Sequence, residues 1–166
     1  MFYGDLIEII EECRGLEEAI RGVLADAFGQ DLEAKLVDEL RRDGDLVISL
    51  AAERAGTICG YVALSRLQSP PHALALAPVA VQKAKQGNGI GSALIRHAID
   101  RAQALGHQAV FVLGRPEFYK RFGFSTEAAA AFPSPYSGPH FMALHLAPNQ
   151  AVPAAVIYPS AFGKFG

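Results

Sequence analysis

The stretch LALAPVAVQKAKQGNGIGSALIRHAIDRAQAL, residues 74–105, decides how the rest of the chain can be arranged. Residues 75–81 are almost all apolar, which is typical of a strand that is covered on both faces. From Ile90 to Leu105 the apolar residues recur at helical spacing, and Gly106 ends the pattern. A helix that begins among glycines presents unpaired N–H groups and the positive end of its dipole. The turn therefore predicts a phosphate-binding site, made of Gln86, Gly87, Asn88, Gly89, Ile90, Gly91 and Ser92.

The spacing of the glycines excludes two common phosphate-binding loops. A Walker loop requires Lys and then Ser or Thr after its last glycine, whereas Gly91 is followed by Ser92-Ala93. A dinucleotide fingerprint requires GxGxxG and an acidic residue roughly 20 positions further on. The sequence instead has GxGxG at residues 87–91 and no acidic residue near position 110. An ordinary glycine-rich turn between strand and helix remains the alternative.

Length and composition predict one domain that spans residues 1–166. A hydrophobic content of 51% with 19% charged residues argues against disorder, and no apolar run is long enough to cross a membrane. The first ten residues lack the basic segment of a secretory signal. Two distant cysteines predict neither a disulfide framework nor a metal site, and a net charge of -2 gives no footprint for nucleic acid. We expect a soluble, cytoplasmic protein.

The remaining sequence predicts helices and strands in a definite order. Residues 2–10 predict a first strand, and residues 16–28 and 32–42 predict two helices, the second with Asp31 as its N-cap. A short connection at 53–56 predicts an antiparallel hairpin. After the central helix, residues 109–113 predict a strand parallel to the one that ends at Val81. The other predicted elements are a short helix at 116–122, an irregular segment, a strand at 140–146, and a tail at 152–165 that packs back as a strand or irregular cover.

Two motifs resemble those of the GNAT N-acetyltransferases. Gln86-x-x-Gly89-x-Gly91 is similar to the acyl-CoA loop of that family, and FYKRFGF, residues 118–124, is similar to its fourth-helix signature. With QGNGIGSALIRHAI and AVFVLG, these motifs most resemble the YhbS type, and the resemblance covers most of the chain. It implies an α/β (α+β) fold with a central mixed, mostly antiparallel sheet. A parallel, V-shaped splay would separate the fourth and fifth strands, and about four helices would flank the sheet.

The resemblance also implies an acetyl-CoA-dependent N-acetyltransferase without a metal. The loop from Gln86 to Ser92 would hold the pyrophosphate, and the backbones of Val79 and Val81 would pair with pantetheine. An N–H group of Ala80 or Val81 would stabilise the oxyanion. Tyr119 would protonate the departing thiolate. The alternative for Tyr119 is packing in an aromatic cluster with its neighbours Phe118, Phe122 and Phe124.

Several points stay open on the sequence alone. No carboxylate lies between residues 74 and 81, so Glu53, His72, His145 or a chain of waters are the alternatives for the general base. The asparagine that the family often has after its fifth strand is replaced by Leu113-Gly114-Arg115. The acceptor is expected to be a primary amine on a small molecule or peptide, and the protein a monomer or homodimer. A non-catalytic acyl-CoA sensor with the same fold is the alternative function.

Basic residues near the loop are more often solvated than bound to a ligand. The sequence therefore assigns no role to three such residues that could meet the 3′-phosphate of CoA: Lys83, Lys85 and Arg121.

Overall fold

A computed structural model of the protein describes residues 6–147 and 151–165. One six-stranded sheet has the strand order β1-β2-β3-β4-β5-β6. All neighbouring strands are antiparallel except β4 and β5, which are parallel as the sequence predicts. The first residues of the predicted first strand, 2–5, lie outside the described residues. The strands are β1 Ile7–Glu11, β2 Leu46–Arg54, β3 Thr57–Arg66, β4 Ala73–Val81, β5 Ala109–Leu113 and β6 Phe141–His145.

The helices flank this sheet, and two short ones, α5 and α6, were not anticipated. Within the described residues the helices are α1 Glu17–Phe28, α2 Leu32–Asp43, α3 Ile90–Ala104, α4 Pro116–Tyr119, α5 Thr126–Ala129 and α6 Ala161–Phe165. The predicted helix 116–122 divides into α4 and one turn of 3-10 helix, Lys120–Phe122. None of the helices in residues 6–147 and 151–165 combines the length and apolarity that a membrane span requires.

Local hydrogen bonds explain the ends of several helices. Ser125 begins α5 because its Oγ accepts a hydrogen bond from the N–H of Ala128 at 3.1 Å. Gly29 and Gly44 end α1 and α2 in the left-handed conformation. Asp31 precedes α2 as predicted, but its carboxylate does not cap the helix; it lies 3.2 Å from Lys35 Nζ.

The two faces of the sheet carry different helices. On one face, α3 and α4 bury their apolar residues against alternate positions of β2, β3, β4 and β5. On the other face, α1 and α2 cover β2 and β3, and the segment around α5 with the C-terminal tail covers β5 and β6. The tail ends in α6, which packs on α2 through Leu36, Leu40 and Ala161. The tail is thus an irregular cover with a terminal helix.

The parallel pair β4–β5 separates soon after it forms. β5 pairs with β4 only at Ala73, Leu74 and Ala75 among the described residues, whereas β3 follows β4 as far as Val81. The edge of β4 from Leu76 to Val81 is therefore open on the β5 side. This is the V-shaped splay that the resemblance implies, and it positions the site described next.

Candidate active site

The N-terminus of α3 meets the open edge of β4 at a glycine turn. Gly87 and Gly89 adopt left-handed conformations with φ of 83° and 80°, which side chains other than glycine rarely tolerate. The first bond of the helix runs from the Ala93 N–H to the Gly89 carbonyl at 3.0 Å. The N–H groups of residues 90–92 therefore have no partner within the helix and can bind an anion.

Two amide side chains hold the turn in place. Gln86 Nε2 donates to the Val81 carbonyl at 3.0 Å, and Asn88 Nδ2 donates to the Lys85 carbonyl at 3.1 Å. Both amides thus bind backbone carbonyls of the segment that precedes the turn. The groups that remain for a ligand are the backbone N–H groups of the turn. The two side-chain hydrogen bonds hold the turn, and with it the direction of these N–H groups.

Hydrogen bonding at the end of β4 shows which peptide groups face the open edge. The Gln82 N–H donates to the carbonyl of Cys59 on β3. This bond lies one residue beyond the last paired residues of the two strands, Val81 and Gly60. Successive peptide groups of a strand point to opposite edges. The N–H groups of Val79 and Val81 are therefore directed away from β3 and into the splay, and the Val81 carbonyl meets Gln86 there.

The turn and the strand edge line one cleft of about 520 Å³. Every residue that the sequence predicts for cofactor binding lines this cleft except Asn88, whose side chain binds the Lys85 carbonyl. Their role in binding stays a prediction, but the structure brings them together. The cleft is lined by Val79, Ala80, Val81, Lys85, Gln86, Gly87, Gly89, Ile90, Gly91, Ser92, Arg115, Phe118 and Arg121.

The cleft contains three cationic side chains that sequence reasoning left out of the site: Lys85, Arg115 and Arg121. Arg121 stacks over the Phe118 ring, 4.6 Å from its centroid, and its Nη2 lies 3.4 Å from Ser92 Oγ. Among residues 6–147 and 151–165, none of the three cations has an ion-pair partner. The sequence holds one signal that Arg121 belongs to the site: it lies two residues after Tyr119 in the same short helical segment.

Tyr119 lies behind the wall of the cleft. Its neighbours Arg115 and Phe118 are among the described lining residues, but Tyr119 itself is not. The side chain is 8% exposed and packs edge-on against Phe118 and Phe124, with centroids 5.0 Å and 5.8 Å apart. Burial raises the pKa of its hydroxyl, and the nearby charge of Arg115 opposes that rise. The group is therefore protonated at neutral pH.

The Tyr119 hydroxyl differs from its ring in being unpartnered. It has no hydrogen bond to any described residue, and it is not one of the buried polar atoms that lack a partner there. The oxygen therefore reaches solvent. The ring packs in the aromatic cluster that the sequence offers as the alternative, while the hydroxyl remains available to a ligand.

The three side chains considered as general base lie elsewhere. Glu53 is paired with β1 opposite Glu8, and His72 precedes β4 at the end of that strand remote from the turn. His145 lies on β6 with its Nε2 3.2 Å from the carbonyl of Ala128. The described lining of the cleft contains neither a carboxylate nor a histidine, and no group of described residues has three potential metal ligands together.

Comparison with known proteins assigns the family. The sequence profile of the Acetyltransferase (GNAT) family matches residues 8–124, which include the glycine turn and the segment around Tyr119. The chain belongs to the GNAT acetyltransferase family. The match ends before α5, so residues 125–166 of this GNAT protein lie outside the profile.

Three bacterial acetyltransferases are similar over most of their length. YhbS of Escherichia coli K12 is 36% identical over 126 residues, 74% of this chain and 73% of YhbS, and YjhQ of the same strain is 38% identical over 128 residues, 72% and 71% of the two chains. Both are named as uncharacterized N-acetyltransferases. The crystal structure of E. coli YhbS with CoA superposes with a TM-score of 0.87 at 32% identity, covering 96% of this chain and 93% of that one. A Brucella melitensis GNAT protein with acetyl-CoA superposes with a TM-score of 0.79 at 30% identity, covering 95% and 98%.

Proposed function

We propose that the protein transfers an acetyl group from acetyl-CoA to a primary amine by direct attack in a ternary complex. The observation that carries the proposal is that the open N-terminus of α3 and the open edge of β4 face the same cleft. The crystallised YhbS and Brucella proteins, which hold CoA and acetyl-CoA, support the choice of cosubstrate.

The pyrophosphate of acetyl-CoA would accept hydrogen bonds from backbone N–H groups between Gly87 and Ser92. The helix dipole favours an anion at this end of α3. Lys85, Arg115 and Arg121 would add positive charge, and the phosphates would supply the ion-pair partners that these cations lack among the described residues. Glycine at positions 87 and 89 lets the phosphates approach the backbone closely.

Pantetheine would extend along the splay as an added strand on β4. The N–H groups that point into the splay belong to Val79 and Val81, which fits the predicted pairing of both residues. For the oxyanion, the sequence leaves Ala80 and Val81 as alternatives, and the alternation of peptide groups favours Val81. Removing one such donor in other acyl-transfer enzymes costs roughly a hundredfold in rate or more.

The chemical step would form a C–N bond and break the C–S bond of the thioester. The amine nitrogen attacks the carbonyl carbon and then loses one N–H proton to water, the oxyanion collapses, and the CoA sulfur leaves as a thiolate. Tyr119 would donate its proton to that sulfur and regain a proton from water. A protonated phenol whose hydroxyl has no partner among the described residues, next to the lining residues Arg115 and Phe118, suits this role.

The amine would have to reach the site as its free base or lose its proton to water. The described lining of the cleft offers no carboxylate or histidine for this purpose. The rate should then follow the free-base fraction of the acceptor. The same observation favours the second candidate function, a non-catalytic acyl-CoA sensor, because a sensor needs no base.

A screen of amines with acetyl-CoA tests the proposal. Release of the CoA thiol would be followed across small amines, aminoglycosides, polyamines and peptides, alongside acetyl-CoA binding by calorimetry. We expect at least one primary amine to raise thiol release well above hydrolysis, with acetylation of that amine seen by mass spectrometry. Tight binding without acetylation of any amine would favour the sensor.

A further inference from the structure

Gly114 follows β5 directly and lies beneath the ring of Tyr119. A Cβ atom built on Gly114 would lie 2.4 Å from Cε2 and 3.0 Å from Cδ2 of that ring. Such distances are shorter than any van der Waals contact between carbon atoms. A residue with a side chain at position 114 therefore requires the Tyr119 ring to move.

The backbone at Gly114 does not itself demand glycine. Its φ lies outside the left-handed region, unlike those of Gly87 and Gly89. The peptide groups are also fixed, because the Gly114 N–H donates to the His140 carbonyl at 2.9 Å and the Gly114 carbonyl lies 3.2 Å from His140 Nδ1. The reason for glycine at position 114 is therefore the space that the Tyr119 ring occupies.

The other sides of the Tyr119 ring are occupied. Phe118, Phe122 and Phe124 surround it with centroids 5.0 Å, 6.4 Å and 5.8 Å away. Gly114 completes this enclosure, and the ring cannot retreat from a methyl group without disturbing an aromatic neighbour. The hydroxyl lies on the axis from Cβ to Cζ, so it moves when the whole ring is displaced and stays in place when the ring only rotates about that axis.

We propose that Gly114 is a positioning residue, which sets the place of the Tyr119 hydroxyl by leaving room for its ring. The inference rests on the proposed acid role of Tyr119. Misplacing a reacting group by about 1 Å can cost a hundredfold in rate.

Gly114→Ala tests the contact without any activity measurement. The protein would be labelled with ¹³C at the ring ε positions of tyrosine, and Tyr119→Phe would identify the Tyr119 resonance by its loss. Gly22→Ala is the matched control, because no atom lies within 4 Å of a Cβ at Gly22. We expect the Tyr119 resonance to shift in Gly114→Ala and to stay in Gly22→Ala. An unmoved resonance in Gly114→Ala would overturn the inference.

Kinetics test the positioning role. In the wild-type background, Gly114→Ala should lower kcat about tenfold to a hundredfold and leave the KM for acetyl-CoA within about twofold. In a Tyr119→Phe background it should cause no further loss. An equal loss in both backgrounds would overturn the inference. Wild-type kcat in Tyr119→Phe alone would instead refute the acid role, and with it the catalytic part of the inference.

A stability comparison covers the case in which Gly114→Ala folds poorly. Leucine at position 119 lacks the ring edge that meets the added methyl group. Gly114→Ala should therefore lower the melting temperature much less in a Tyr119→Leu background than in wild type. Equal losses in the two backgrounds would show that the ring is not what excludes the methyl group.

Discussion

Tyr61 and Tyr119 are both buried tyrosines whose pKa is raised by burial, yet their hydroxyls have opposite surroundings. The Tyr61 hydroxyl lies 2.6 Å from Ser49 Oγ, and Ser49 donates its own proton to Glu12 at 2.6 Å, so Tyr61 donates to Ser49. The Tyr119 hydroxyl has no partner among the described residues. Both rings are buried, so the two tyrosines differ mainly at their hydroxyls: that of Tyr61 is bound to Ser49, and that of Tyr119 has no partner among the described residues.

The charged residues around the two tyrosines repeat the contrast. Near Tyr61, Arg41 binds Glu12 at 2.8 Å and Asp38 at 2.9 Å, which ties α2 to the end of β1. Beside Tyr119, Arg115 and Arg121 have no ion-pair partner within residues 6–147 and 151–165. The charged groups near Tyr61 thus form ion pairs within the protein, whereas the cations of the cleft have no ion-pair partner among the described residues. This difference predicts that substitutions in the two regions affect stability and activity separately.

The largest expected effect is on turnover. Tyr119→Phe retains the aromatic packing and removes the proton donor, so kcat should fall about a hundredfold to ten-thousandfold. Affinity for acetyl-CoA and the melting temperature should barely change. Tyr61→Phe is the control and should keep wild-type kcat. Steady-state kinetics with an identified amine, or acetyl-CoA hydrolysis as a proxy, would check this; equal kcat values for the two variants would remove the contrast.

The next effect is on acetyl-CoA affinity at the glycine turn. Asn tolerates the left-handed conformation of residue 89, so Gly89→Asn should preserve the backbone. Its side chain adds bulk where the phosphates would approach, so the Kd for acetyl-CoA should rise about tenfold or more. Gly44→Asn carries the same change at a matched backbone, with φ of 78° against 80°, far from the cleft. Titration calorimetry would compare them. Unchanged affinity in folded Gly89→Asn would contradict the assignment of the turn.

A smaller effect is expected from one cation of the cleft. Arg121→Gln should weaken acetyl-CoA binding by up to about fivefold, since exposed ion pairs are worth about 0.2–1 kcal/mol. It should also make binding less sensitive to salt. Arg96→Gln is the control, because Arg96 stacks on the Phe122 ring at 4.9 Å but does not line the cleft. Identical salt dependence in wild type and Arg121→Gln would show that Arg121 does not face the phosphates.

The smallest effect concerns stability in the Tyr61 region. Tyr61→Phe removes one buried hydrogen bond to Ser49 and should lower the free energy of unfolding by about 1 kcal/mol. Tyr119→Phe, which breaks no hydrogen bond to a described residue, should lower it less. Urea denaturation of the two variants measures the difference. A greater loss in Tyr119→Phe would indicate that its hydroxyl is structural after all.

The sequence predicts the part of this site that depends on local pattern. The glycine spacing and the apolar period of residues 90–105 predict the turn and α3, and the strand–helix–strand order predicts the parallel pair. The packing of Tyr119 on Gly114 was not predictable, because it joins residues whose contact depends on how α4 turns back over β5. The positions of Arg115 and Arg121 in the cleft were not predictable either, because the sequence alone does not distinguish a solvated basic residue from one that lines a cleft.

A crystal structure of the protein with CoA tests the central claim most directly, because it needs no knowledge of the acceptor. The pyrophosphate oxygens should lie about 2.7–3.2 Å from N–H nitrogens between Gly87 and Ser92. The pantetheine should follow Val79 to Val81 and place its sulfur within reach of the Tyr119 hydroxyl. CoA bound with its pyrophosphate away from the α3 N-terminus, or its sulfur far from Tyr119, would contradict the account.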